Sequence, residues 1–189
     1  MPILGIMASQ ISGHLWSPEG AYDALATVTL SASTASVSFV GIPSGYKHLQ
    51  IRMIARTDRS ANEYDGTIIQ FNSDTGSNYA YHRIIADGST VTSDGYASQT
   101  NGNLGTTLGG GAIANAFSPL VTDILDYANA NKYKTVRSLS GRQNNTTDSN
   151  LLFTSSLWMN TAAVTSIILK PSVGPNFVTY SSFALFGVK

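Results

Sequence analysis

Three histidines, His14, His48 and His82, are the first residues to weigh for metal or acid-base chemistry. No two of them lie at i,i+2 or i,i+4. A zinc site needs at least three converging ligands, so each His reads as a polar or partly buried side chain, and no metal ligand is assigned. Serine is abundant, but no G-x-S-x-G elbow is present to expose a nucleophile for a Ser-His-Asp arrangement. Asp58, Asp65 and Asp87 are candidates for the paired carboxylates of glycoside hydrolysis, with no spacing in sequence that sets a pair. Asn72, Asp74, Gly76 and Asn78 imitate the alternating oxygen ligands of a calcium loop without its closing Glu, which makes a plain turn the better reading. Gly109-Gly110-Gly111 lacks the Lys-Ser/Thr of a phosphate loop and reads as flexible backbone or close strand approach. Asn144 and Asn145 match the glycosylation acceptor pattern, which matters only in a eukaryotic secretory pathway. Tyr79, Tyr81, Trp158 and Tyr180 have faces that suit a sugar ring. Strand alternation around Tyr79 and Tyr81 favours packing in a core or between subunits. No active site and no cofactor emerge, and the reading is non-enzymatic.

Composition limits the classes further. The chain has no Cys, which removes disulfides, thiolate metal sites and cysteine nucleophiles together. Charged residues are 12% and balance to a net charge of zero, so no footprint for nucleic acid or an anionic membrane is visible. Ser (24), Thr (19), Asn (13) and Gly (17) are plentiful while 42% of residues are hydrophobic, a combination that argues against disorder. It suits a β-protein with hydroxyls and amides at outward positions. Charge is what keeps exposed strands from pairing, so its scarcity points to a surface that meets other protein. No stretch approaches the run of about 18 apolar residues that spans a membrane. The N-terminus lacks the basic region of a secretory signal and reads as retained.

The elements that would position any site are strands. Asp123 to Gly141, D-I-L-D-Y-A-N-A-N-K-Y-K-T-V-R-S-L-S-G, holds two strand-like runs, Ile124 to Tyr127 and Tyr133 to Leu139, around an Asn-rich connection, and predicts a β-hairpin. Residues 1 to 21 show no clean period before Pro18 and Gly20, and read as an N-terminal arm. Its apolar positions Ile3, Leu4, Ile6, Met7, Ile11, Leu15 and Trp16 call for cover, as an arm lying on a neighbouring subunit or larger assembly or, alternatively, as a first strand on the domain's own core. Residues 22 to 189 then form one domain. Ala24, Ala26, Val28 and Leu30 alternate, followed by Val37 and Phe39. Leu49, Ile51, Met53 and Ala55 present a second core face. Thr67 to Phe71 and Tyr79 to Ile85 are expected to pair as a hairpin. Residues 86 to 119 read as a long irregular loop with a binding role. Leu151, Phe153, Ser155, Leu157 and Met159 share what reads as a core face, Val164 to Leu169 is a short run, and Phe177 to Val188 closes the sheet. About eight or nine strands and no helical period predict an all-β, two-sheet antiparallel β-sandwich of jelly-roll type.

The opening M-P-I-L-G-I-M-A-S-Q-I-S-G-H-L, the hairpin stretch quoted above, the segment L-W-M-N-T-A-A-V-T-S-I and the ending Y-S-S-F-A-L-F-G-V-K resemble a family of tailed-bacteriophage virion structural proteins. The ending is also similar to the C-termini of some tail fibre proteins. What the resemblance implies is a β-sandwich component of the virion, made in the bacterial cytoplasm, without catalysis. The short arm and the absence of a repetitive shaft favour a capsid decoration or cement protein on the outer surface of the head. Its expected partner is the major capsid protein, and its expected state a homotrimer, with no nucleic acid and no membrane. The alternative is a tail fibre or receptor-binding module that recognises a host surface glycan through the 86 to 119 region.

Overall fold

The computed structural model describes residues 20–146 and 148–189. The seven arm positions, Ile3, Leu4, Ile6, Met7, Ile11, Leu15 and Trp16, lie outside the described residues. The rest is an all-β, two-sheet sandwich of twelve strands. In chain order these are β1 (Tyr22–Thr29), β2 (Val37–Val40), β3 (His48–Ala55), β4 (Tyr64–Phe71), β5 (Tyr79–Ala86), β6 (Val91–Gln99), β7 (Gly102–Leu108), β8 (Ser118–Leu125), β9 (Lys134–Arg142), β10 (Asn150–Trp158), β11 (Ser166–Pro171) and β12 (Ser182–Val188). The large sheet has eight strands in the order β1-β12-β3-β8-β9-β10-β5-β6, the small one four in the order β2-β11-β4-β7. All strand pairings within both sheets are antiparallel.

The plainest alternation in the sequence is borne out. Leu49, Ile51, Met53 and Ala55 of β3 are buried, against Phe183 and Leu185 of β12 in the same sheet and Ile69, Phe71, Ile167 and Leu169 of the facing one. The predicted central hairpin is β8 and β9, paired from Leu120↔Ser140 to Leu125↔Thr135. Its turn is held from within. Lys132 Nζ donates to Asp126 Oδ2 at 2.7 Å, and the buried ammonium of Lys134 donates to the carbonyls of Asn129, Lys132 and Thr161 at 2.5, 2.8 and 3.0 Å.

Four expectations are corrected. The face of β1 is Leu25, Ala26 and Val28 because a bulge between Ala24 and Ala26 shifts the alternation and leaves Ala24 outside. Strands β4 and β5 do not pair: β4 bonds to β11 and β7 in the small sheet, β5 to β10 and β6 in the large one. The seven residues between them let the chain cross between sheets, fixed by Asp74, whose carboxylate accepts from Trp158 Nε1 at 2.7 Å, Asn78 Nδ2 at 2.9 Å and Gly76 N at 2.8 Å. Residues 86 to 119 hold strands β6 and β7 and the start of β8. Their Gly and Ser content disguised them, and they account for most of the difference between nine strands and twelve.

The fourth correction concerns β10. Leu151 and Phe153 face solvent, whereas Leu152, Thr154, Ser156 and Trp158 face inward. The cause is β7. Every residue of β7 is buried, and it is an edge strand lying against β8, β9 and β10. The edge strand's own backbone groups need partners there, and leucine has none to give. Hydroxyls supply them: Ser138 Oγ donates to Leu104 O at 2.6 Å and Ser156 Oγ to Asn103 O at 2.7 Å. Ser140 Oγ accepts from Thr106 N at 3.2 Å and Ser118 Oγ from Leu108 N at 3.0 Å. Gly105, at φ 118°, completes the fit, since a Cβ there would lie 2.1 Å from Ser140 Oγ.

Candidate functional site

Burying the hydroxyls turns the other side of the same strands outward. Strand alternation obliges the residues between them to point to solvent, and on β9 and β10 the exposed residues are Leu139, Leu151 and Phe153 together with Arg137 and Ser155. Cross-strand register extends them into rows. One row runs Arg52↔Val121, Val121↔Leu139, Leu139↔Phe153 and Phe153↔Ile84 from β3 to β5. The row beside it holds Ile54↔Pro119, Gly141↔Leu151, Leu151↔Ala86 and Ala86↔Val91. Ile54, Ile84, Leu139, Leu151 and Val91 are each more than half exposed, and Phe153 and Val121 nearly so.

The result is an apolar stripe across six strands of the large sheet. Five steps of about 4.8 Å and a width of two side chains make it roughly 24 Å by 10 Å, or about 240 Å². A stable face-to-face dimer needs about 800 Å² per partner, so the stripe alone is too narrow for one. It has the dimensions of a seat for an extended segment or for part of a larger contact. Two hollows lie on it. A near one of about 350 Å³ sits among Arg52, Ile54, Pro119, Val121, Ala184 and Phe186. A far one of about 440 Å³ sits among Ile84, Phe153, His82, Ser93, Gly95 and Ser155. Charge borders the stripe on one side, in the row Gln50↔Asp123↔Arg137, where Gln50 Nε2 donates to Asp123 Oδ1 at 2.8 Å. Arg52 is drawn to its near end, with its guanidinium 5.4 Å from the Tyr22 ring centroid and 5.2 Å from that of Phe186.

The residues singled out for chemistry are spread across the fold. His48 Nδ1 accepts from Asp126 N at 3.0 Å at the hairpin turn, and the ring of His82 lies over Gly95 at the far hollow. Among the described residues no group of three or more His, Asp and Glu is placed to hold a metal. Asp58 holds Asn176 N and Nδ2 at 2.8 and 2.7 Å. Asp65, fully buried, accepts from the backbone N–H groups of Gly66, Val173 and Gly174. Asp87 accepts from the N–H groups of Ser89 and Thr90, which together with both hydroxyls hold its carboxyl well below the usual range. Gly109, Gly110 and Gly111 press against the backbone of Arg59 and Asn62, where a Cβ on any of them would come within 3.0 Å, so the triplet is a close backbone approach.

Of the four aromatics considered for sugar stacking, Tyr79 and Trp158 are core, grouped with Phe71 at ring separations of 5.4 to 6.4 Å. Tyr81 is half-buried against Tyr96, with the Arg83 guanidinium over both rings, and only Tyr180 is fully outside. Sequence reasoning missed the stripe because it assigned Leu151 and Phe153 to the core. The signal available was on β9, where Ser138 and Ser140 are two residues apart and so share one face of that strand, with Leu139 on the other. Comparison with protein-family models and with curated protein sequences found no match.

Proposed function

We propose that this chain is a non-enzymatic structural component of a tailed-phage particle, and within it a decoration protein that binds and stabilises the assembled head. The observation that carries the binding role is the inversion on β9 and β10, with hydroxyls inside and Leu139, Leu151 and Phe153 outside. Nothing in a monomer's own stability calls for that many apolar side chains in register on a solvated face, and such patches mark contact sites. The phage setting rests on the resemblance of the quoted stretches. In this reading the shell contact, with the major capsid protein, is made by the arm positions Ile3, Leu4, Ile6, Met7, Ile11, Leu15 and Trp16 together with the stripe. Binding the assembled shell and not its free subunits raises shell stability by linkage. A homotrimer would place one copy on each shell subunit around a three-fold axis.

Localisation on intact particles by cryo-electron microscopy tests the reading. Density in many copies over the shell is the expected result; density in a few copies at the tail tip would transfer the protein to the fibre or receptor-binding class.

A further inference from the structure

We propose that, in the free protein, two copies of this chain pack the outer faces of their large sheets together, about a two-fold axis that lies in the interface and runs along the strands between β8 and β9. The contact does not depend on which particle component the chain forms. In the decoration reading, the shell would replace the second copy on the same face.

Three observations converge on a second copy. The first is area. The stripe is too narrow for a dimer by itself, but it is part of a face that runs from β1 to β6, and the strand order places four strands on either side of the line between β8 and β9. A half-turn about that line lays β8 on β9, β3 on β10, β12 on β5 and β1 on β6 of the second copy, so the same patch serves both partners. Seven strand steps of about 4.8 Å by about seven residues of about 3.4 Å make the face roughly 34 Å by 24 Å, or about 800 Å². That is what a stable dimer needs from each partner.

The second is charge. Asp123 and Arg137 are opposite each other across β8 and β9 on this face. Asp123 is taken by Gln50 Nε2, and Arg137 is exposed with no carboxylate partner among the described residues. An axis along the strands keeps every cross-strand row at its own height, and so sets Asp123 of each copy against Arg137 of the other. Both guanidinium groups then gain a carboxylate.

The third is shape. The same half-turn puts Val121 on Leu139, Ile54 on Leu151, and Phe153 over β3 of the second copy at the height of Arg52. There lies the near hollow, walled by Ile54, Pro119 and Val121 beside Arg52. Arg52 leaves it open, since its guanidinium is drawn aside to the Tyr22 and Phe186 rings and its Nε donates to Gln50 Oε1 at 2.8 Å. Phe153 of each copy is the side chain that enters it. Facing sheets cross at about 30° because each is twisted, so the pairs beside the axis, on β8 and β9, keep this register most closely.

Sedimentation equilibrium of the full chain across the micromolar range is expected to show a dimer. Arg137→Asp sets carboxylate against carboxylate, and Asp123→Arg sets guanidinium against guanidinium. Each variant alone is expected to dimerise at least tenfold more weakly, with its circular dichroism unchanged. Mixed in equal amounts, the two variants restore both ion pairs, and a heterodimer is expected. A monomer at every concentration, an oligomer indifferent to both reversals, or a mixture that stays monomeric would overturn the proposal. Phe153→Ser gives a second readout that does not rest on folding of the charge variants. It empties the near hollow of the other copy and is expected to weaken the dimer tenfold or more, and unchanged association would also count against the contact.

Discussion

At the scale of single residues, the interior is specified by polar atoms as much as by apolar volume. Tyr79 is the clearest case. Its hydroxyl accepts from Phe71 N at 2.9 Å and donates to Asp74 O at 3.3 Å, inside a group of rings that excludes water. Burial pushes its phenol up to about 12, with the Asp74 charge adding to it and the Phe71 N–H opposing. A phenol raised in the folded state contributes stability that is fully present below pH 10 and is lost as pH rises through about 12. Tyr79→Phe leaves the Phe71 N–H without its acceptor and is expected to cost about 1–2 kcal/mol in urea unfolding at pH 7. The same variant should lack the part of the alkaline stability loss between pH 10 and 12 that titration of this phenol causes. A variant as stable as the parent at pH 7, with an unchanged alkaline limb, would remove Tyr79 from this role. Asp74 works in the same place with the opposite sign. Burial raises its carboxyl, but the hydrogen bonds from Trp158, Asn78 and Gly76 together outweigh that and hold it below its ordinary value.

Strands show how a rule of thumb can point the wrong way. Leu151, Phe153 and Leu157 fall at alternate positions of β10, and period-two reasoning puts such an apolar set inside. Hydrophobic transfer favours that by about 2 kcal/mol for each side chain. Against it stands the edge of β7, where each backbone group buried without a partner costs about 1–3 kcal/mol. Several such groups meet the hydroxyls of β8 to β10, so the polar requirement wins. Ser138→Val removes the donor to Leu104 O and the 2.9 Å contact with Thr122 Oγ1, and is expected to destabilise by about 2–3 kcal/mol. Phe153→Ser, on the outer side, is expected to change stability by less than about 1 kcal/mol. Paired urea titrations would show this order, and the reverse order would mean that β10 presents its other face to the core.

The molecule as a whole is an unequal sandwich, in which a four-stranded sheet lies on an eight-stranded one. Its core is apolar where β3 and β12 meet β4 and β11, and rich in hydroxyls where β7 meets β8, β9 and β10. The large sheet's other side is left as a platform. In the decoration reading, deleting residues 1–16 leaves a folded domain, with its circular dichroism unchanged, that no longer binds heads in a sedimentation assay. Normal decoration by the truncated protein would remove the arm from the shell contact.

The class of the fold could be read from the amino acids alone. Short alternating runs closed by Gly, Asn, Ser and Pro allow strands and little else, and β3 and the β8–β9 hairpin were visible as themselves. Local pattern carries such elements because their faces differ in polarity in the ordinary sense and their turns sit next to them. Partner choice and facing were decided only in three dimensions. β4 and β5 look like a hairpin until the Asp74 turn sends the chain to the other sheet, and β6 and β7 look like loop because Gly and Ser serve close packing there. The apolar face of β10 looks like core until a distant edge strand, β7, requires hydroxyls on the opposite side. The stripe follows from that last requirement, which depends on a neighbour more than forty residues away in sequence, and no periodicity within β10 can report it.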